Sequence, residues 1–498
     1  MKYLALLSII IIAFCAPIHA QQMLHKTAIL EDLNFLDERL QSMSSYQGLN
    51  GYDYQADFDA YSTSWSSDSI SKTAFGLFLT ETIGKIGDRH AYARNYDLPD
   101  EKFMPFAIAP FGNKVVALQY DKDRQQFEYL HTDYPYLRAI DGVQIETLLA
   151  QICPKDIGAP QLAYHSRAVE RLRDLGRAYA ILGKAVPEVS SFTFSGEKGD
   201  TSIRLPIADR ATRKGIWMDK FEYFDCQRSE MNEPSAIAQY FQLDAQNIAY
   251  LRIPHMARLT NAPNFYQAIH QFMASVQHSK ALILDVRGNG GGSRGLILEL
   301  AKYLVAPDAI QVVNVAQQRS DHPLNEDQQA DLNHRFLFAL EDLEERERQQ
   351  AQTFLVDFQP IYNLPKSRFS TPHFMLLNGE QLRATGDYYH YEQPVFILAN
   401  EGTFSAASIL VSTLKNLPNV KIVGVTTDGS SGNSEKFYLP HSDIKIKLST
   451  MVSFQTNGKP LDGFGTTPDI EIQRNIDQVF WKNDHQLESL KRMILAEQ

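Results

Sequence analysis

The strongest constraint on the fold is a set of short, nearly uninterrupted apolar runs: Ala281–Val286, Pro394–Leu398 and Val420–Val425. A strand wet on one face alternates apolar and polar side chains, whereas a run apolar on both faces belongs to a strand covered on both sides. Ile248–Ile253 reads as a further strand ahead of the first run, and helical spacing from about Ala262 to Val276 lies between the two. Strand, helix and strand in that order form a right-handed parallel crossover. An α/β unit is therefore expected over residues 246–475, with any ligand site outside the carboxyl ends of its strands.

Composition excludes some functions. The 498 residues include 48 Lys and Arg against 59 Asp and Glu, a formal charge of −11. A nucleic-acid binder needs a basic field to displace counterions from phosphates, so no nucleic-acid partner is expected. With 44% hydrophobic residues, 28 Phe and 23 Tyr, the chain can bury large cores, and its length suits about three domains. Lys2, the apolar run Leu4–Ala16 and the small-residue end Pro17-Ile18-His19-Ala20 read as a secretory signal (residues 1–20) cleaved after Ala20. That run is shorter than the roughly 20 residues a spanning helix takes, and no later stretch suffices. The expectation is an exported protein, periplasmic or secreted, with no stable membrane span after cleavage. Cys153 and Cys226 would then remain, and in an oxidising compartment they either pair or stay as buried thiols.

Two further units precede the α/β unit. Residues 21–97 read as an N-terminal helical domain, with apolar stripes through Leu30, Leu33, Leu36 and Leu40 and through Ile70, Phe75, Phe78 and Ile83. Residues 98–212 turn β-rich, with short alternating stretches at Lys114–Tyr120 and Gln126–His131. There, the strand Tyr136–Ile140, the turn Asp141-Gly142 and the helix Glu146–Ile152 resemble the turn and following helix of PDZ-like modules. A linker over 213–245 follows. Residues 306–372 are polar and helix-prone, dense in charge at Glu341–Gln352, and read as an insert in the α/β unit. Residues 476–498 read as a C-terminal helix.

Three segments of the α/β unit depart from what packing requires. The first is Asp285-Val286-Arg287-Gly288-Asn289-Gly290-Gly291-Gly292-Ser293, a glycine cluster at the end of a buried strand. Its spacing is neither Gly-x-Gly-x-x-Gly nor the P-loop, so it reads as an oxyanion site or as a plain tight turn. The second is Asn400–Ser408, between a strand and an amphipathic helix. Ser405 at that junction either presents a nucleophilic hydroxyl at a helix N-terminus or merely caps the helix, and the Gly-x-Ser-x-Gly elbow is absent. The third is the turn-rich stretch Gly458–Ile470, which includes Asp462.

In this order, the three segments resemble the core of the C-terminal-processing, or tail-specific, serine peptidases, whose relatives include the tricorn protease core and the interphotoreceptor retinoid-binding proteins. The likeness spans about residues 246–472 and implies a ClpP/crotonase-like α/β core. It implies Ser405 as nucleophile and an oxyanion hole made by the backbone N–H of Ala406 and of Gly290 or Gly291. Bacterial tail-specific members use a Lys base, and the aligned position here is Ser430, which cannot take up the proton. Lys436 is the alternative base, and only if its loop folds back. The tricorn-like branch takes a His from the N-terminal region and an acid near the last segment. Ile86-Gly87-Asp88-Arg89-His90 and Asp462 are similar to these, with Asp where Glu is usual. His90 would accept the Ser405 proton and Asp462 would orient the imidazolium.

The leading expectation is thus an exported serine endopeptidase working through an acyl-enzyme on proteins or peptide tails, with the PDZ-like unit presenting substrate by strand addition. No cofactor or metal is expected, since no His-Glu-x-x-His occurs. The alternative is a catalytically silent protein on the same scaffold that binds a peptide or an apolar ligand. A glycosidase would need paired carboxylates, and no pairing stands out.

Overall fold

A computed structural model of the chain describes residues 22–97, 101–153, 159–216, 231–320, 323–386, 388–430 and 432–496. The expected signal, Cys226 and much of the expected linker lie outside the described residues; Cys153 is buried.

The architecture is mixed α/β with several sheets. The central one has six strands in the order Phe241–Leu243, Ile248–Arg252, Ala281–Asp285, Val395–Ala399, Val420–Gly424, Ile470–Glu471. The first pair is antiparallel and the others are parallel. Every residue of Ile248–Arg252, Ala281–Asp285 and Val395–Ala399 is buried, because helices cover both faces. Leu282, Leu284, Val395 and Ile397 pack on one side with the helices Pro263–Ser275, Gly295–Leu304 and Ala406–Leu414. Ile283, Phe396 and Leu398 face the C-terminal helix His485–Ala496 on the other.

At the carboxyl end of Ala281–Asp285 a buried charge network holds the glycine loop. Asp285 accepts hydrogen bonds from Arg287 (Nε to Oδ1 3.0 Å, Nη2 to Oδ2 2.6 Å), Arg252 (3.2 Å) and the Tyr250 hydroxyl (2.9 Å). Burial alone would raise its pKa, but the guanidinium groups of Arg287 and Arg252 hold it down at about 2. Arg287 continues to Asp484 at the C-terminal helix, 2.6 and 2.7 Å away.

The expected insert at 306–372 is instead largely structural. Ile310–Gln318 is a nine-residue strand in an antiparallel sheet ordered Phe338–Ala339, His373–Asn378, Ile310–Gln318, Met451–Phe454. Its polar positions misled the pattern reading: Asn314 is buried and satisfied by Ser453 Oγ (2.9 Å) and the Phe454 carbonyl (2.7 Å). The N-terminal helices Lys26–Met43 and Lys72–Ile86 carry most of the two apolar stripes, while Ile70 lies in the strand Ser69–Ser71 and the helix Tyr54–Thr63 falls between the stripes. They share one core with this sheet, Leu36, Leu40, Phe75 and Leu79 packing with Val315, Phe374, Val452 and Phe454.

Residues 107–206 contain the seven-stranded antiparallel sheet of the β-rich unit, with the helices Ile145–Ile152 and Gln161–Leu172 packed on it. A small three-stranded sheet decides the site. Tyr92–Arg94 pairs antiparallel with Lys445–Ser449, which pairs with Ser434–Tyr438. This pairing brings the segment after the third helix against the far end of the chain.

Candidate active site

The strand Val395–Ala399 ends, and Asn400–Phe404 turns into the buried helix Ala406–Leu414 with Ser405 at its N-terminus. Ser405 sits at φ 56°, ψ −128°, a region that costs a non-glycine residue about 1–3 kcal/mol and persists only where surroundings over-determine it. The surroundings here are Ser405 N–H on the Gly429 carbonyl (3.2 Å) and Phe404 N–H on the Asn289 carbonyl (2.9 Å). The Ser405 side chain makes no capping bond to its helix. Capping therefore does not account for it; its Oγ faces His90 Nε2 at 3.3 Å.

His90 is fixed from its own side. The helix Lys72–Ile86 ends at Gly87 with φ 83°, which a side chain would strain. Asp88, buried, then accepts the His90 N–H (2.9 Å) and both the N–H and the hydroxyl of Ser449 (2.6 Å each). This clamp and the Tyr92–Arg94 pairing set the imidazole in place.

Asp462 does not reach His90 as expected. Ser430 stands between them, its Oγ 2.6 Å from His90 Nδ1 and 2.8 Å from Asp462 Oδ1. A hydroxyl has one hydrogen; donated to the carboxylate, it leaves Ser430 an acceptor for His90 Nδ1–H. The tautomer follows: Nε2 carries the lone pair that faces Ser405. All three relay groups are buried, and Ser430 itself sits at φ 48° after Gly429 at φ 90°. Sequence resemblance sets this residue at the Lys position of tail-specific members, but only the fold shows that it bridges His90 and Asp462.

Of the two loop glycines, Gly291 gives its N–H to Asn289 Oδ1 (2.9 Å), whereas Gly290 lines the cavity shared by Ser405 and His90. Gly291 is required for another reason. A Cβ there would lie 2.5 Å from Ser405 Cβ and 2.9 Å from the Ala406 nitrogen. Lys436 also lines the cavity, on the strand Ser434–Tyr438 and in register with Lys447, but among the described residues it makes no hydrogen bond to Ser405. Its loop has not folded back.

A half-buried hydroxyl at a strained turn, a neutral imidazole and a glycine loop on the same cavity are the parts acyl transfer needs. Residues 247–472 match peptidase family S41. That stretch of the chain is a peptidase family S41 domain. By this family the protein is a serine peptidase. The structure of mature CPAF complexed with lactacystin is similar, with 17% identity, a TM-score of 0.61, and coverage of 94% of this chain and 98% of that one. A second structure of mature CPAF gives 17%, 0.61, 94% and 96%. At such identity these establish a common fold. None of the curated protein sequences is detectably similar to this chain.

The S41 domain does not enclose the site alone. Asp428, two residues before Ser430, takes a bidentate, buried ion pair from Arg89 (3.1 and 2.6 Å). Arg167, on the helix Gln161–Leu172 of the β-rich unit, reaches the same carboxylate (3.4 Å) and lies 5.8 Å above the Phe404 ring. Ser166 of the same helix donates to Glu401 (3.2 Å), which also receives Arg474. Sequence reading misses these cations because nothing in their spacing relates them to Ser405. They matter electrically: burial, then the charges of Lys447, Arg167 and Arg89, push the His90 pKa down to about 3.

Proposed function

We propose that the protein is an exported serine endopeptidase that cleaves polypeptide through an acyl-enzyme, using Ser405, His90 and Asp462 with Ser430 as a relay. The observation that carries this reading is the 3.3 Å approach of His90 Nε2 to Ser405 Oγ. Ser405 Oγ attacks the scissile carbonyl as His90 takes its proton, and the oxyanion forms against the N–H groups of Ala406 and Gly290 at the helix N-terminus. His90 passes the proton to the leaving amine, and water activated by His90 hydrolyses the ester. Asp462, through Ser430, stabilises the transient imidazolium. Export rests on residues 1–20, and the β-rich unit, taken as PDZ-like, presents extended polypeptide by strand addition.

A fluorophosphonate probe should label the intact protein and fail on Ser405→Ala and His90→Ala. A folded protein that stays unlabelled while binding peptide points to the inactive binder. The pH profile carries a second expectation. The base works only when neutral, and a depressed folded pKa keeps it neutral as pH falls, so the acid limb of kcat/KM lies well below the ordinary histidine value of 6.5. Replacing Lys447 by Gln removes a positive charge beside the imidazole and should move that limb to higher pH. A wild-type limb at 6.5, or one that Lys447→Gln leaves in place, contradicts this electrostatic account.

A further inference from the structure

Beside Ser405 lies a small cavity of about 110 Å³, room for several waters or one short side chain. Ser405 and Ala406 form one wall; Arg294, Arg258 and Arg335 line it, and no Asp or Glu does among the described residues. Arg294 is the informative one. It is 7% exposed, on the turn that opens the helix Gly295–Leu304, and among the described residues it hydrogen-bonds only to neutral oxygens: Asn314 Oδ1 and the Arg335 carbonyl, both at 3.3 Å. Arg335 pairs with an exposed acid outside the cavity, Asp331 (3.5 Å), and Arg258 is exposed. Burial, then the nearby Arg335 charge, push the Arg294 guanidinium down to about 9.

A buried guanidinium without a carboxylate is costly, since buried charges are ordinarily paired. The adjoining wider cavity adds Lys436 and Lys447 and, among the described residues, again no acid. A positive pocket in a chain of net charge −11 focuses its field beside Ser405, where the scissile bond must lie. Guanidinium groups in such a site bind carboxylates through short, charge-assisted hydrogen bonds.

We propose that this pocket is the subsite for an acidic side chain, and that the protein cleaves polypeptides with Asp or Glu adjoining the scissile bond. This specificity rests on the peptidase reading above. The carboxylate would complete the charge balance that Arg294 lacks and fix the register of the substrate over Ser405.

The test uses the mature full-length protein and internally quenched peptides with amidated C-termini, so that the varied side chain is the only carboxylate near the cut. At one position flanking the cleaved bond, Glu or Asp should exceed Gln, Asn and Leu in kcat/KM by about tenfold or more. Arg294→Gln should bring the Glu-to-Gln ratio close to one. Arg258→Glu, on an exposed side chain that does not affect the interior, should lower the same ratio, and added salt should lower it in the wild type. A protein that labels with fluorophosphonate and cleaves Gln or Leu peptides as well as Glu peptides overturns the specificity and leaves the peptidase reading standing. A protein that neither labels nor cleaves overturns both.

Discussion

Replacing His90 by Gln should lower kcat/KM by about four to six orders of magnitude, leaving the protein folded. His90 is the only group hydrogen-bonded to Ser405 Oγ in the described structure, and glutamine's amide cannot carry the proton. Folding should survive because the segment is held by other groups: Asp88 on Ser449 and the Tyr92–Arg94 pairing. Fluorophosphonate labelling should fall in parallel with turnover, since both need the activated hydroxyl. A Gln variant with activity within tenfold of the wild type would transfer the base to another residue, with Lys436 the first to examine.

The second large effect belongs to Ser430. Ser430→Ala should lower kcat by about two to three orders of magnitude, within the range for general-base assistance, and leave KM close to the wild-type value. The chain His90–Ser430–Asp462 passes through one oxygen, so removing it disconnects the acid. Asp462→Asn should have a comparable effect, and the double variant should be little worse than either, because the two act as a unit. Additive losses would mean that Asp462 acts on His90 by a route that bypasses the hydroxyl.

Much of the core is legible in the sequence because its strands are apolar at every position, as at Ala281–Leu284 and Val395–Ala399, and period alone identifies them. Ile310–Gln318 escapes the same test. Asn314 in its middle is buried, but Ser453 and the Phe454 carbonyl on the neighbouring strand satisfy its amide, and a reading by polarity cannot see a satisfied amide. The site divides similarly. Ser405 and the glycine loop lie at the carboxyl ends of adjacent parallel strands, so position in the sheet predicts their meeting. His90, Ser430 and Asp462 meet only through the three-stranded sheet, a long-range pairing that no local pattern encodes, and resemblance to a family supplies His90 and Asp462 where periodicity does not. The relay through Ser430 and the contact from Arg167 were not legible at all, because each depends on angstrom-scale placement.

The pairing of Tyr92–Arg94 with Lys445–Ser449 has a bearing on when this molecule becomes dangerous to its neighbours. The hydroxyl and its base are 315 residues apart in the chain, and the imidazole is held by a strand that a ribosome delivers near the very end. A half-made chain therefore has the histidine without the nucleophile, and an unfolded one has both without the contact between them. Such long-range closure forms late in folding, so cutting power should appear only once translation and folding are finished, and a cell exporting the chain unfolded would carry it disarmed.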